Sequence, residues 1–194
     1  MNKITGVILA GGQSSRMGTD KGLMLLNSEP MISYLIKLLK PIVEEVIIVA
    51  KSEKYKVFGL SVFPDKMALK GPVGGIYSGL FHSNTEKVFV VSCDTPFITQ
   101  ELVQLIIDAD NGNDNDVVIS KHNDKLEPLI GLYSKNGMDV FKNCIDQDKL
   151  KLIKVLDRLD TKIIDLDKSE VDSSVFYNIN TPIEFKNASN ENRD

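Results

Sequence analysis

The 194-residue sequence is poor in the residues that build metal clusters and disulfides. It contains two cysteines and two histidines. Cys93 and Cys144 lie far apart in the sequence, and neither His82 nor His122 has a partner at metal-ligand spacing. Because so few cysteines suit a reducing compartment, and no signal peptide is recognisable, we expect a cytoplasmic protein.

The sequence also lacks an excess of positive charge and long apolar runs, and each absence argues against a class of function. The formal net charge is -4, so no excess of positive charge draws the chain to nucleic acid or to an anionic membrane. No apolar run approaches the roughly 18 to 20 residues that a membrane helix needs. We therefore expect a soluble protein that holds any anionic ligand at a local site.

The length suits one domain with a sizeable core. We expect that domain to cover residues 1–186. The remaining segment, 187–194, has Ala188 as its one apolar residue, which predicts a disordered tail.

Short apolar runs alternate with helical patterns along the chain. The predicted strands are Ile4–Leu9, Val46–Ala50, Val88–Ser92, Val117–Ser120, Leu129–Tyr133, Lys162–Leu166 and Val175–Ile179. The predicted helices are Pro30–Leu39, Pro72–Phe81, Thr99–Ala109, Lys135–Cys144, Lys149–Leu159 and Thr181–Lys186. This alternation predicts an α/β, Rossmann-like fold, with a mostly parallel twisted sheet and helices on both faces.

A glycine-rich segment, Leu9–Lys21 (LAGGQSSRMGTDK), leaves the first predicted strand. In such sheets, ligands bind at the carboxyl ends of the strands. Gly11 and Gly12 can bring bare backbone amides against an oxyanion, while Arg16 and Lys21 supply positive charge. The segment fits neither the Walker A nor the Gly-x-Gly-x-x-Gly pattern. It is either a phosphate-binding loop of another kind or a glycine-rich turn with two solvated cations.

Asp94 follows the apolar strand Val88–Ser92, so it lies at the same edge of the sheet. A single carboxylate suits Mg²⁺, which prefers few protein carboxylates together with phosphate oxygens. The alternative is a turn or capping aspartate before Pro96. Cys93, without a histidine nearby in sequence, fits a small buried residue better than a nucleophile.

Asp65 precedes a second glycine-rich stretch, Lys70–Ile76. Its glycines allow close approach of a flat ligand or of another helix. A carboxylate can accept hydrogen bonds from the neighbouring N1–H and N2–H groups of guanine. The alternative for Asp65 is an ordinary surface aspartate in a loop.

Polar residues also lie at the boundaries of two predicted strands in the C-terminal half of the chain. Glu127 precedes Pro128, and Asn178 and Asn180 precede Thr181. Thr181 fits a helix cap. The other three, Glu127, Asn178 and Asn180, are candidate ligand-binding residues.

Together these motifs resemble the sugar-nucleotide-type nucleotidyltransferases, and within them the molybdenum cofactor guanylyltransferase family. The resemblance runs from Ile4 to about Phe185. It is carried by Leu9–Gly12, Ser15–Gly18, Asp20–Lys21, Gly71–Pro72, Gly75, Cys93–Pro96, Glu127–Pro128 and Asn178–Pro182.

The resemblance implies transfer of GMP from GTP to the terminal phosphate of molybdenum-bound molybdopterin, forming the guanine dinucleotide cofactor and pyrophosphate. Encounters with molybdoenzymes or their chaperones would be transient. The implied GTP-binding residues are Leu9, Ala10, Gly11, Gly12, Lys21, Asp65 and Asp94. Arg16, Lys21 and Asp94 would be catalytic, Asp94 would hold Mg²⁺, and the pterin side would comprise Gly75, Glu127, Asn178 and Asn180.

One departure from the family pattern concerns the base. Family members often carry an asparagine at the end of the second strand, where this sequence has Val49. Either Lys51 or Ser52 replaces its hydrogen bond, or selectivity for guanine depends more heavily on Asp65.

Two other functions stay open at this point. A cytidylyltransferase or sugar-phosphate nucleotidyltransferase of the same fold would use another base or acceptor. A non-catalytic GTP-binding assembly partner would bind the nucleotide without turning it over.

Overall fold

Strands and helices alternate along the chain in a computed structural model that describes residues 3–11, 20–67, 70–110, 112, 115–167, 169, 171–181 and 184–185. The strands are β1 (Ile4–Leu9), β2 (Leu25–Leu26), β3 (Glu29–Pro30), β4 (Glu45–Val49), β5 (Ser61–Phe63), β6 (Lys87–Ser92), β7 (Val117–His122), β8 (Lys125–Ser134) and β9 (Thr161–Asp165). The helices are α1 (Met31–Leu39), α2 (Gly71–His82), α3 (Gln100–Ala109), α4 (Met138–Asp146) and α5 (Leu152–Leu156). Short 3-10 helices span Lys21–Leu23, Glu53–Phe58, Lys135–Gly137 and Ser173–Phe176.

Seven strands form one sheet in the order β5-β4-β1-β6-β8-β7-β9. The strands β5, β4, β1 and β6 run parallel, and β9 runs parallel to β7, whereas β8 runs antiparallel to both of its neighbours. The predicted mostly parallel α/β fold is therefore confirmed. Since β8 is reversed, its beginning lies at the edge where the parallel strands end.

The two faces of the sheet carry separate apolar cores because successive side chains of a strand point in opposite directions. In β1, Ile8 packs into the core shared with α1 and α3. Its neighbour Val7 packs into the core shared with α2, α4 and α5. Helices thus cover both faces, as predicted.

The predicted strand Val175–Ile179 is wrong. A 3-10 helix begins there instead, because the Asp172 carboxylate accepts a hydrogen bond from the Ser174 amide at 2.8 Å. Val175, Phe176 and Ile179 are buried, so this segment anchors its apolar side chains without pairing in the sheet.

Two predicted helices have bounds that differ from the prediction. Lys149–Leu159 contains only α5, since the backbone of Lys151 is extended and the turn after Leu156 tightens to i, i+3 hydrogen bonds. Lys135–Cys144 begins as a 3-10 helix and continues as α4. In the last helix, Thr181 accepts a bond from the Glu184 amide at 3.2 Å, which confirms its capping role.

The hairpin β2–β3 and the edge strand β5 are elements that the sequence pattern did not predict. The hairpin turns at Asn27 and Ser28, both of which have positive φ. The predicted tail at 187–194 lies outside the described residues. No helix of the described chain is long and apolar enough to cross a bilayer.

Candidate functional site

A cavity of about 370 Å³ opens at the edge where β5, β4, β1 and β6 end, and we call it the first cavity. Among the predicted site residues, Leu9, Gly11, Asp65, Gly75 and Asp94 line it. The rest of its lining consists of Val49, Ala50, Lys51, Gly71, Pro72, Ser92 and Leu129.

The order of the strands sets the order of polar groups along the first cavity. Asp65 follows β5, Lys51 follows β4, Gly11 follows β1, and Asp94 follows β6. Three strand spacings separate β5 from β6, which amounts to about 14 Å. The two carboxylates therefore stand at opposite ends of the cavity, with the beginning of the glycine-rich segment between them.

The glycine-rich segment starts on a fixed backbone. The Ala10 amide donates to the Val49 carbonyl at 2.9 Å, and the Cys93 amide donates to the Leu9 carbonyl at 3.0 Å. These bonds extend the pairing of β1 past its end. Gly12 and Arg16 lie outside the described residues.

The far end of the glycine-rich segment is held by Tyr55. This tyrosine is fully buried, and its hydroxyl donates a hydrogen bond to the carboxylate of Asp20. Burial and that bond raise the pKa of Tyr55 well above its usual range, so the donor keeps its proton. Gly22 makes room for it, since a Cβ there would lie 2.6 Å from the tyrosine hydroxyl oxygen. The bond fixes the residue directly before Lys21.

Replacing Tyr55 with phenylalanine should lower the free energy of unfolding by about 2 kcal/mol, because a hydrogen bond to a charged group is lost. Turnover should fall as well, since Asp20 would no longer be oriented. Tyr34→Phe is the matched control, because the Tyr34 hydroxyl donates only to the Leu26 carbonyl. Urea unfolding of both variants measures the difference, and equal losses would contradict the role given to Tyr55.

Lys21 contacts a residue of a second cavity. Its ammonium group donates to the Asn180 side-chain oxygen at 2.9 Å. The second cavity has a volume of about 570 Å³ and contains the predicted residues Glu127, Asn178 and Asn180. Its other lining residues are His122, Asn123, Lys125, Ser173, Ser174, Phe176, Tyr177 and Glu184.

A segment of β8 with irregular strand pairing separates the two cavities. The ladder between β7 and β8 shifts register after Ile119, which leaves segment 127–130 out of regular pairing with β7. Pro128 lies within this segment and has no N–H to donate to a ladder. On either side of it, Leu129 lines the first cavity and Glu127 lines the second.

A backbone hydrogen bond also joins the two cavities. The Ile179 amide donates to the Asp94 carbonyl at 2.8 Å. Ile179 is buried against Leu26 and Met31. The segment that contains Asn178 and Asn180 is thereby fixed against the loop of Asp94.

Gly75 falls on the first cavity rather than beside Glu127, Asn178 and Asn180. A Cβ at this position would lie 3.3 Å from the Leu9 side chain. The glycine therefore lets α2 approach the end of β1, and its backbone borders the same space as Asp65 and Asp94.

The two carboxylate oxygens of Asp65 differ in the hydrogen bonds that they make. Its Oδ1 accepts bonds from the Met67 amide at 3.0 Å and the Ser78 hydroxyl at 2.9 Å. Within the described part of the chain, Oδ2 makes no hydrogen bond. Because Oδ1 already has two donors, a ligand in the first cavity meets an acceptor of fixed orientation.

Asp94 is half-buried and makes no ion pair with any residue that the structure describes. Burial, followed by the nearby carboxylates of Asp94 and Asp20, raises the pKa of the Cys93 thiol to about 12. Cys93 therefore stays a protonated, buried residue, as predicted. Over the described ranges, no cluster of three His, Cys, Asp or Glu side chains could hold a metal. This leaves a site of few carboxylates, which suits Mg²⁺ only together with phosphate oxygens.

Sequence reasoning missed Tyr55 and Gly22, and it left the choice between Lys51 and Ser52 open. Lys51 lines the first cavity. Ser52 instead accepts a bond from the Lys54 amide at 3.4 Å at the start of a 3-10 helix. The run of apolar residues before Lys51 was the available signal, since a charged residue directly after a buried strand lies at the ligand-binding edge.

Comparisons with known proteins identify a family of similar proteins. The model of the MobA-like NTP transferase domain matches residues 6–162. A "Probable molybdenum cofactor guanylyltransferase" of Flavobacterium johnsoniae is 36% identical over 170 residues, covering 88% of this chain and 89% of the relative. A molybdenum cofactor guanylyltransferase of Vibrio campbellii is 36% identical over 182 residues, covering 92% and 91%.

A solved structure extends the similarity to the fold. Molybdopterin-guanine dinucleotide biosynthesis protein A from Archaeoglobus fulgidus superposes with a TM-score of 0.82 at 25% identity, covering 95% of this chain and 96% of that one. The family model and the relatives span most of the chain. The chain therefore belongs to the family of MobA-like NTP transferase domain proteins.

Proposed function

We propose that this chain is a molybdenum cofactor guanylyltransferase, which transfers GMP from GTP to the terminal phosphate of molybdenum-bound molybdopterin. The observation that carries the proposal is a pair of adjoining cavities. The first has a carboxylate at each end, and the second adjoins it across Pro128. Lys21 is bonded to Asn180 of the second cavity and lies near Cys93, which directly precedes Asp94 of the first. Two substrates can thus meet at one boundary. The names of the relatives from Vibrio campbellii and Archaeoglobus fulgidus support the same activity.

In the proposed reaction, GTP occupies the first cavity with its base toward Asp65 and its phosphates toward Asp94. Molybdopterin occupies the second cavity, near Glu127, Asn178 and Asn180. An oxygen of its terminal phosphate attacks the α-phosphorus of GTP. The new P–O bond forms as the bond to the α,β-bridging oxygen breaks, and the electron pair leaves with pyrophosphate.

Positioning and charge neutralisation supply the catalysis of such a transfer. Lys21, bonded to Asn180, would neutralise phosphate charge where the two substrates meet. Arg16 is the second proposed cation. The attacking oxygen is already anionic, so the reaction needs no general base.

Asp94 would hold Mg²⁺ together with the phosphate oxygens of GTP. The donor set fits, because a half-buried carboxylate without an ion pair among the described residues is a hard oxygen ligand. When bound, the ion would neutralise charge on the phosphates.

A cytoplasmic location belongs to the same proposal, since two cysteines suit a reducing compartment. The product would then pass to molybdoenzymes or their chaperones in transient encounters.

The proposal is tested by the nucleotide that stabilises the protein most and by the substrates that pyrophosphate release requires. GTP with Mg²⁺ should raise the melting temperature more than CTP or ATP, because a ligand that binds the native state stabilises it. Release of pyrophosphate should require both GTP and molybdopterin. A larger shift with CTP would identify a cytidylyltransferase instead, and binding of GTP without pyrophosphate release would identify a non-catalytic partner.

A further inference from the structure

We infer that Lys51 reads the O6 oxygen of the purine base, as the partner of Asp65. The inference rests on the proposed function, and it adds a second base-recognising side chain that none of the comparisons assigns. It starts from the end of the first cavity formed by β4 and β5.

Lys51 and Asp65 leave neighbouring strands at the same edge. The Ala50 amide donates to the Phe63 carbonyl at 2.9 Å, so the pairing of β4 and β5 continues to the residue before Lys51. Both residues line the first cavity. A donor and an acceptor therefore face one ligand from adjacent strand ends.

The charges of Lys51 and Asp65 do not neutralise each other. No ion pair joins Lys51 to Asp65, and neither side chain forms one with any other residue of the described chain. Val49, the last residue of β4, is 2% exposed and carries no polar group. On this wall of the cavity, among described side chains, only Lys51 can donate a hydrogen bond.

Because one carboxylate oxygen of Asp65 already accepts two hydrogen bonds, recognition of the whole guanine edge needs a second polar side chain. With Oδ1 filled by Met67 and Ser78, the guanine N1–H and N2–H donors would converge on Oδ2. The third polar group of that edge, O6, is an acceptor that a carboxylate cannot bind. A lysine ammonium, which has three donors and no acceptor, matches it. Adenine in the same pose would present its amino group to Lys51 and its N1 lone pair to Asp65.

The test compares dissociation constants of Lys51→Met and the unsubstituted protein for three probes: GTP, GMP and 6-thio-GTP, which keeps N1–H and N2–H but replaces O6 with sulfur, a weak acceptor. We expect Lys51→Met to weaken GTP and GMP by the same factor, about tenfold or more. The loss of affinity for 6-thio-GTP should be much smaller. Lys51→Arg should keep most of the affinity for GTP, because it keeps a donor.

Lys54→Met is the matched control, because Lys54 is exposed three residues along the chain and should leave all three constants unchanged. A larger loss for GTP than for GMP, with an equal loss for 6-thio-GTP, would mean that Lys51 contacts phosphates and would overturn the inference. Unchanged constants would overturn it too. If the unsubstituted protein itself prefers CTP, the proposed function fails, whatever Lys51 does.

Discussion

Replacing Asp94 with alanine should abolish magnesium-dependent turnover. In the proposed site this carboxylate is the protein ligand that brings Mg²⁺ to the phosphates of GTP. Charge stabilisation of this kind is worth several kcal/mol, and each 1.36 kcal/mol changes a rate tenfold. A loss of about 10³-fold or more in the rate of pyrophosphate release is therefore expected in a steady-state assay with molybdopterin present.

Asp94→Asn separates this effect from loss of folding, because it keeps the shape of the side chain. In a thermal-shift titration, the asparagine variant should lose the part of the GTP stabilisation that depends on Mg²⁺ and keep the part that does not. Asp139→Asn is the control, since Asp139 is exposed on α4. If Asp94→Asn retained normal turnover, Asp94 would not be the metal ligand.

Replacing Lys21 with alanine should lower turnover by about 10²-fold or more, by analogy with the removal of one charge-stabilising group from an active site. Lys21 contacts Asn180 of the second cavity and lies near Cys93, the residue directly before Asp94 of the first. In the proposed reaction its charge stabilises the departing pyrophosphate. The expected loss falls mainly on the catalytic rate constant, which single-turnover measurement of pyrophosphate release reports.

Two further variants decide how Lys21 acts. Lys54→Ala removes an exposed lysine that lies outside both cavities and should leave turnover unchanged. Asn180→Ala removes the partner of Lys21 but keeps its charge, so its effect should be much smaller than that of Lys21→Ala. Equal effects of the two site variants would assign Lys21 to anchoring the acceptor segment rather than to charge stabilisation.

The central parallel strands and the residues that follow them could be predicted from the sequence. A strand buried on both faces must be almost wholly apolar, so β1, β4 and β6 are visible as short hydrophobic runs. Polar residues directly after such runs lie at the ligand-binding edge. That reasoning placed Gly11 and Asp94 at the same edge from the sequence alone. Asp65 was added to that site by the family resemblance, since β5, the strand that it follows, was not predicted.

Contacts between distant parts of the chain could not be predicted in this way. Tyr55 and Asp20 are 35 residues apart, and nothing in the local pattern around either one points to the other. The buried ion pair of Lys87 and Asp110 is a similar case, because Asp110 belongs to a polar stretch that resembles a surface loop.

The reversal of β8 also escaped prediction, since periodicity reports which residues form a strand and not its direction. The direction depends on the turn at Asn123 and Asp124, where both residues have positive φ. Two residues in this conformation produce a tight hairpin, although neither is the glycine usually found in such turns.

The order of the strands has a consequence for how such a protein can diverge. The groups proposed to face the base follow β5 and β4, whereas those proposed to face the acceptor come from β8 and from the segment after β9. Between them, β1 and β6 carry the groups proposed to bind the phosphates. Substitutions that exchange one acceptor for another can therefore accumulate without disturbing the choice of nucleotide, and the reverse holds as well. The sheet thus keeps the residues for nucleotide specificity apart from those for acceptor specificity, so that the two specificities can change independently.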